Sequence, residues 1–236
     1  MISSRFLLFC LLLFVCDTVR AAEEFYARGP RTRNGIGKYY EGREIAHFMS
    51  HLGAPWLERG TREKEERPDL LMQALELKPG MQVADIGCGS GYYSRKIAQE
   101  IGNKGQVYGV DIQKEMLVIL RKNMKANSLT NFVAVLGEVD DPKLPEGKID
   151  LALFVDVYHE FEFPYEMMLK IAKSLKKGGR VVLVEYRLED PDVPIKLLHK
   201  MSQAQVQKEM KRQPDLKWVK TVHTLPWQHV MIYEKK

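Results

Sequence analysis

The chain has 236 residues, 45% of them apolar and 28% charged, with a formal net charge of +5. Those values suit one soluble domain with a sizeable core and exclude a disordered or low-complexity chain. Arg5 and Arg20 against Asp17 give the first 22 residues one net positive charge, leaving +4 for the rest. That is too mild for a nucleic-acid partner, and basic residues alternate with acids, as in the run REKEER at 62–67. The purely basic groups (Arg28, Arg31, Arg33 and Lys38; Lys208, Lys211 and Arg212) read as solvated faces.

Residues 1–22 begin with Arg5, continue as an apolar run from Phe6 to Cys16, and end in Val19-Arg20-Ala21. This is the pattern of a secretory signal peptide, with small or short residues before the cleavage point. The run falls well short of the ~20 residues that span a bilayer. The expected product is therefore exported, to the periplasm or beyond. Membrane association is expected only if the leader stays uncleaved. Cys10 and Cys16 leave with the leader, so Cys88 would have no intramolecular disulfide partner.

Residues 23–67 are expected to form an arm and a helix, a candidate lid over a substrate. Residues 23–42 show no clear period. Ile45, Phe48, Met49 and Leu52 fall at helical spacing and predict a helix over 43–52, broken by Gly53-Ala54-Pro55. His47 and His51 stand four apart, a spacing that can hold a metal, but no third ligand is recognisable and no metal is expected. Tyr39, Tyr40, Trp56 and Arg59 are candidates to face an acceptor, with simple packing as the competing role.

Residues 68–236 form the main domain. A helix starts near Pro68. Then strand and helix alternate: strand Val83–Ile86, helix Tyr92–Ile101, strand Val107–Val110, helix Lys114–Ala126, strand Phe132–Leu136, strand Ile149–Val157, helix Tyr165–Leu175 closed by Gly178-Gly179, and strand Val181–Val184. Near-continuous apolar strands in such an alternation predict a parallel sheet covered on both faces. Ser202 and Gln205 form a capping box. Strands Trp218–His223 and His229–Tyr233 are joined by five residues, too few for a crossover helix, so they pair antiparallel. The predicted class is α/β, a Rossmann-like doubly wound sheet.

One motif carries chemistry. VADIGCGSG at 83–91 ends a strand at Asp85-Ile86 and places Gly87, Gly89 and Gly91 before a helix. Glycines there let the backbone approach a ligand. Asp111 closes the next strand, 20 residues after Gly91, where an acid can accept both hydroxyls of a ribose. Tyr92 stands where a dinucleotide fingerprint needs its third glycine, and Asp85 would repel a pyrophosphate. Both disfavour a nucleotide-dependent oxidoreductase. Cys88 reads as a small filler of the loop, and Tyr92 and Tyr93 as packing more than chemistry.

These residues resemble motif I of the class I methyltransferases, which use S-adenosylmethionine. VYGVD is similar to the acid motif of the second strand, IDLALFVDVYHEF to the fourth-strand motif, and LKKGGRVVLVEY to the helix and fifth strand that follow. The likeness spans about residues 70–234 and is greatest to the small-molecule group that includes the ubiquinone and menaquinone methyltransferases. It implies seven strands with an antiparallel last strand. It implies that Asp85, Gly87 and Gly89 hold the methionine part of the cofactor, with Cys88 and Gly91 of the same loop among the cofactor-binding residues, that Asp111 takes the ribose, and that Ile112 lies against the adenine. Glu138, Val139 and Asp140 would edge the adenine; Gly137-Glu138-Val139 replaces the usual Gly-Asp-Ala, which leaves the contact open between Glu138 and Asp140. Asp156 would face the transfer site, at the border of cofactor and acceptor. The usual Gly-Phe before the sixth strand is absent; Leu216-Lys217-Trp218 stands there. His159, three residues after Asp156, is either a general base for the acceptor or a wall of its pocket. The expected function is methyl transfer from S-adenosylmethionine to an unidentified small molecule. The alternative is an exported protein that binds the cofactor without turnover.

Overall fold

The structure, a computed structural model, describes residues 25–236; the expected leader lies outside the described residues. Two sheets form. The larger is the predicted one, and its strands carry apolar residues in pairs of opposite aim. Strand β4 (Gln82–Ile86) sends Val83 to one face and Ala84 to the other. Strand β7 (Ile149–Val155) does the same with Leu151 and Leu153 against Ala152 and Phe154, and β8 (Leu175–Tyr186) with Val182 and Val184 against Val181 and Leu183. A period of two with both sets apolar requires cover on both sides.

Helices α3 (Pro68–Leu75), α4 (Tyr92–Ile101) and α5 (Lys114–Ala126) cover the first face, through Leu71, Ile97 and Leu120. Helices α6 (Pro164–Ser174) and α7 (Gln203–Met210) cover the second, through Met168, Ile171 and Val206. With β5 (Gln106–Asp111), β6 (Phe132–Leu136), β9 (Leu216–Val222) and β10 (Gln228–Lys235), the sheet runs in the order β6-β5-β4-β7-β8-β10-β9. The five strands β4 to β8 pair parallel; β10 is antiparallel to both β8 and β9. The winding reverses between β4 and β7. Their carboxyl ends part there, and that is where an open α/β sheet binds ligands.

The arm differs from expectation. β1 (Tyr26–Arg28), β2 (Gly35–Tyr40) and β3 (Arg43–Ala46) make a three-stranded antiparallel sheet. The helix predicted over 43–52 does not form. Its four apolar residues share no buried face: Ile45 is buried, whereas Phe48 is 41% and Leu52 80% exposed. Pairing of β3 with β2, and of the Arg43 guanidinium with Glu209 on α7 at 2.8 Å, outweighs a short helical period. Pro55 opens the short helix α1 (Ala54–Leu57), where its missing N–H costs nothing. Helix α2 (Arg62–Glu66) follows. The small sheet is docked on the start of α6. Phe25 stacks on Tyr165 with centroids 4.0 Å apart, and the Lys38 ammonium lies 3.3 Å from the Phe163 ring centre.

Two boundaries also shift. Helix α6 ends at Ser174 without a glycine cap. Gly178, at φ +74°, and Gly179 instead form an irregularity inside β8, where pairing jumps from Ile149–Leu175 to Leu151–Arg180. Strand β7 stops at Val155, not Val157, because Asp156 turns into the left-handed region at φ +52°. Asp tolerates that conformation better than most residues. The turn carries the chain out of the sheet at the switch point. Among the described residues no helix is long and apolar enough to cross a membrane.

Candidate active site

A cavity of about 760 Å³ opens over the carboxyl ends of β4, β5 and β7. Its floor is the glycine loop. Gly87 and Gly89 have φ of +64° and +53°. A Cβ on Gly87 would stand 2.4 Å from Val157 Cγ2, and one on Gly89 2.5 Å from Leu57 Cδ1. Both glycines are thus required by conformation and by space. Gly91 is required for another reason: its missing Cβ would meet Leu120 Cδ1 at 2.3 Å, so it seats α4 against α5 and does not line the cavity.

Asp111 holds the loop in place. Its carboxylate accepts N–H bonds from Gly89 at 3.0 Å and Gln113 at 2.8 Å. Burial raises its pKa, opposed by those two N–H donors. Cys88 is turned inward; its N–H bonds Val110 O at 3.0 Å, and burial pushes its thiol well up. Asp85 lies behind the loop, buried, accepting the Ser94 hydroxyl at 2.6 Å, and does not line the cavity. Burial raises it to about 6, against the Ser94 bond and the charge of Arg62.

Of the residues after β6, Glu138 and Val139 line the cavity. Asp140 faces away, paired with Lys170 at 3.1 Å. Ile112 and Val139 are each about two-fifths exposed, offering apolar surface beside Asp111 and Glu138. Asp156 lines the wall between these groups and the rest. Its Oδ2 accepts from the Gln228 amide at 3.2 Å, while its buried Oδ1 has no partner. Burial, then the charges of Glu66 and Glu185, hold its carboxyl far above the usual range.

The opposite half is built by residues far apart in sequence. Arg62 and Glu66 form a buried ion pair at 2.7 Å; Glu66 also accepts from Arg59 at 2.7 Å and from the Tyr186 hydroxyl at 2.9 Å. The Arg59 guanidinium stacks 3.8 Å over the Trp56 ring. Of the four candidates that the sequence left open between cavity lining and packing, Trp56 and Arg59 line the cavity; Tyr39 and Tyr40 do not. His159 is buried, with Nδ1 2.6 Å from Glu185 Oε2 and Nε2 3.1 Å from His199 Nδ1. Burial opposes a charge on this ring, but the Glu185 carboxylate outweighs it and raises the pKa. Glu185 also accepts the Tyr158 N–H at 2.9 Å. Sequence reasoning missed Glu66, Glu185 and His199. The unpaired acid in the otherwise apolar strand VVLVEY was the one signal for Glu185; His199 carried none.

Residues 77–232 match a family described as a methyltransferase domain. The chain belongs to that family. Its cofactor is S-adenosylmethionine and its fold is that of the class I methyltransferases. A protein of Sulfurisphaera tokodaii named "Probable cobalt-precorrin-6B C(15)-methyltransferase (decarboxylating)" is 29% identical over 139 residues, covering 58% of this chain and 70% of its own. A demethylmenaquinone methyltransferase of Listeria monocytogenes is 24% identical over 123 residues, 52% of this chain; the match spans only 51% of that relative. In structure, an S-adenosylmethionine-dependent methyltransferase of Aquifex aeolicus superposes over 80% of this chain and all of its own, with a TM-score of 0.75 at 20% identity.

The residues present fit the cofactor. The floor has no room for a side chain at Gly87 or Gly89, a fixed carboxylate stands at the end of β5, and a buried carboxylate oxygen at Asp156 lacks a donor.

Proposed function

We propose that this chain transfers a methyl group from S-adenosylmethionine to a small-molecule nucleophile bound in the half of the cavity walled by Trp56, Arg59, Glu66, Tyr186 and His159. The observation that carries the reading is the continuity of the cavity, which joins the glycine loop and Asp111 to that second wall. Its volume lies inside the range of small-molecule sites, roughly 300–1,000 Å³. The names of the relatives, a corrin and a quinone methyltransferase, favour an acceptor of the same general kind.

Each residue has a part in this reading. Gly87 and Gly89 let the cofactor lie against the backbone. Asp111 accepts from the ribose hydroxyls with the lone pairs that Gly89 and Gln113 leave free. Ile112 and Val139 sandwich the adenine, with Glu138 at its edge. Asp156 Oδ1 takes a donor from the methionine end. The sulfonium supplies the methyl carbon, so the protein's main tasks are in-line alignment and exclusion of water. The docked β1–β3 sheet and α1–α2 perform the second task. Asp85 acts through Ser94 on the loop and not by direct contact.

Calorimetry with S-adenosylhomocysteine and NAD tests the donor half. Turnover of methyl-labelled S-adenosylmethionine with a small-molecule extract tests the acceptor half. Binding of NAD in place of S-adenosylhomocysteine overturns the reading. Tight S-adenosylhomocysteine binding with no label transferred to any extract favours a binding protein without turnover.

We also propose that residues 1–22 are a cleaved export signal, from Arg5, the apolar run and Val19-Arg20-Ala21. The mature protein then starts near Ala21 to Glu23. Sequencing the N-terminus of protein from the native host decides this; intact Met1 in the cytosolic fraction overturns it.

A further inference from the structure

Three side chains converge at the acceptor end of the cavity. His159 Nε2 lies 3.1 Å from His199 Nδ1 and 3.8 Å from Glu160 Oε1, and His199 Nδ1 lies 3.5 Å from the same Glu160 oxygen. All three residues line the cavity, and these atoms fit within one 4.8 Å group. A cation bound at ~2.1 Å from each ligand would set neighbouring ligand atoms about 3.0 Å apart at right angles and about 3.4 Å apart in a tetrahedron. The observed edges, 3.1, 3.5 and 3.8 Å, run from just above the right-angle value to somewhat beyond the tetrahedral one.

The surroundings fit a cation as well. His159 Nδ1 is engaged by the buried Glu185 carboxylate at 2.6 Å, which fixes the ring with its proton on that side and leaves the Nε2 lone pair facing His199 and Glu160. A carboxylate behind a ligating histidine is the common outer support of protein metal sites. The charge of the nearby Arg43 guanidinium disfavours a cation at His159, and its pairing with an acid offsets that effect. The guanidinium is spent on Glu209 at 2.8 Å and on the His159 carbonyl at 2.9 Å. Lys196 is a further cation lining the same cavity.

We propose that His159, Glu160 and His199 bind one divalent transition ion of the zinc or cobalt type, with positions left open toward the cavity. Two imidazoles and one carboxylate are the donors such borderline ions accept, and three protein ligands leave room for an acceptor oxygen. The inference deepens the methyl-transfer reading and rests on it for its purpose. The acceptor class it names is an oxygen nucleophile. The acceptor hydroxyl, its pKa lowered by the ion, gives its proton to water. An O–C bond forms, and the C–S electron pair returns to sulfur, leaving a neutral thioether. His159 then acts as a ligand, in place of the general base or pocket wall that its position after Asp156 allowed; the ion lowers the hydroxyl's pKa, so the step needs no side-chain base.

The test uses the metal alone. Metal-free protein is titrated with Zn²⁺ by calorimetry and with Co²⁺ by visible absorption, with no cofactor present. One ion per chain is expected, with a Co²⁺ spectrum of low coordination number. His199→Ala and Glu160→Gln should each weaken binding at least tenfold, while urea unfolding and S-adenosylhomocysteine affinity stay at wild-type values. Glu185→Gln, behind the site, should weaken it 10- to 100-fold. No stoichiometric binding, or wild-type affinity in His199→Ala, overturns the proposal and leaves a hydrogen-bonded histidine pair. Loss of S-adenosylhomocysteine binding in the unaltered protein would instead refute the methyl-transfer reading, whatever the metal result.

Discussion

Replacing Asp111 by alanine separates the ribose contact implied by its sequence position from the loop anchoring seen in the structure. The carboxylate is 7% exposed and accepts two backbone N–H groups, from Gly89 at 3.0 Å and Gln113 at 2.8 Å. A hydrogen bond to a charged acceptor contributes roughly 1.5–3 kcal/mol. Two such bonds give a gross loss of about 3–6 kcal/mol. Part is recovered, because burial disfavours this charge and its removal ends that cost. The net loss is about 2–4 kcal/mol. In a domain of this size ~1 kcal/mol moves the melting midpoint by about 2–4 °C, so a fall of about 5–15 °C is expected without any ligand. The cofactor should lose a further ~1–3 kcal/mol of binding free energy in the folded variant. Urea unfolding of the ligand-free protein reads the first effect. Calorimetry with S-adenosylhomocysteine, well below the variant's midpoint, reads the second. Asp111→Asn keeps one acceptor oxygen and should fall between. A wild-type unfolding midpoint in Asp111→Ala would refute the anchoring role, and an unchanged dissociation constant would remove Asp111 from the cofactor site.

Three further outcomes follow from the geometry. Glu66→Ala strips the buried Arg62 and the Tyr186 hydroxyl of their partner and should destabilise the protein by about 3–5 kcal/mol, read by urea unfolding; a change below ~1 kcal/mol would show that the network is replaceable by water. Asp85 has a folded pKa of about 6, above its ordinary 3.8, so the folded chain holds an extra proton between those values and stability falls as pH rises through that window. Relative to wild type, Asp85→Asn should therefore gain up to about 3 kcal/mol by pH 7, most of it appearing between pH 4 and 6; a gain that shrinks with rising pH would refute the burial argument. Gly91→Ala, forced against Leu120 at φ +81°, should lower stability by about 1–3 kcal/mol yet keep cofactor affinity, whereas Gly89→Ala should weaken S-adenosylhomocysteine binding; calorimetry on both variants decides, and equal affinities would place both glycines in one role.

The central sheet was legible because its code is local. Strand and helix alternate with clear periods, and Tyr92–Ile101, Lys114–Ala126 and Phe132–Leu136 begin and end where the residue pattern places them. The short link from β9 to β10 forbids a crossover, so its length alone dictates their antiparallel pairing. The convergence of Gly87, Gly89 and Asp111 on one cavity was legible for a related reason: they sit at strand ends, and the winding of such a sheet brings strand ends together.

What the sequence left undetermined depends on contacts between distant residues. Residues 43–52 have a helical period, yet β3 forms because Arg43 finds Glu209 across 166 positions and β2 offers a ladder. Gly91 and Asp85 share the motif with Gly87 and Gly89, but only packing shows that they support the loop from behind. Asp140 turns to Lys170 while Glu138 keeps the cavity, a choice that no local spacing encodes. The cavity wall around His159 is the clearest case. His159 stood out from its place after β7, but its partners come from the strand holding Glu185 and from the turn at Leu197–His199, elements that meet it only once the sheet is wound. Hydrogen bonds between such groups act at about 3 Å, while sequence pattern reports only neighbours within one turn or one pleat.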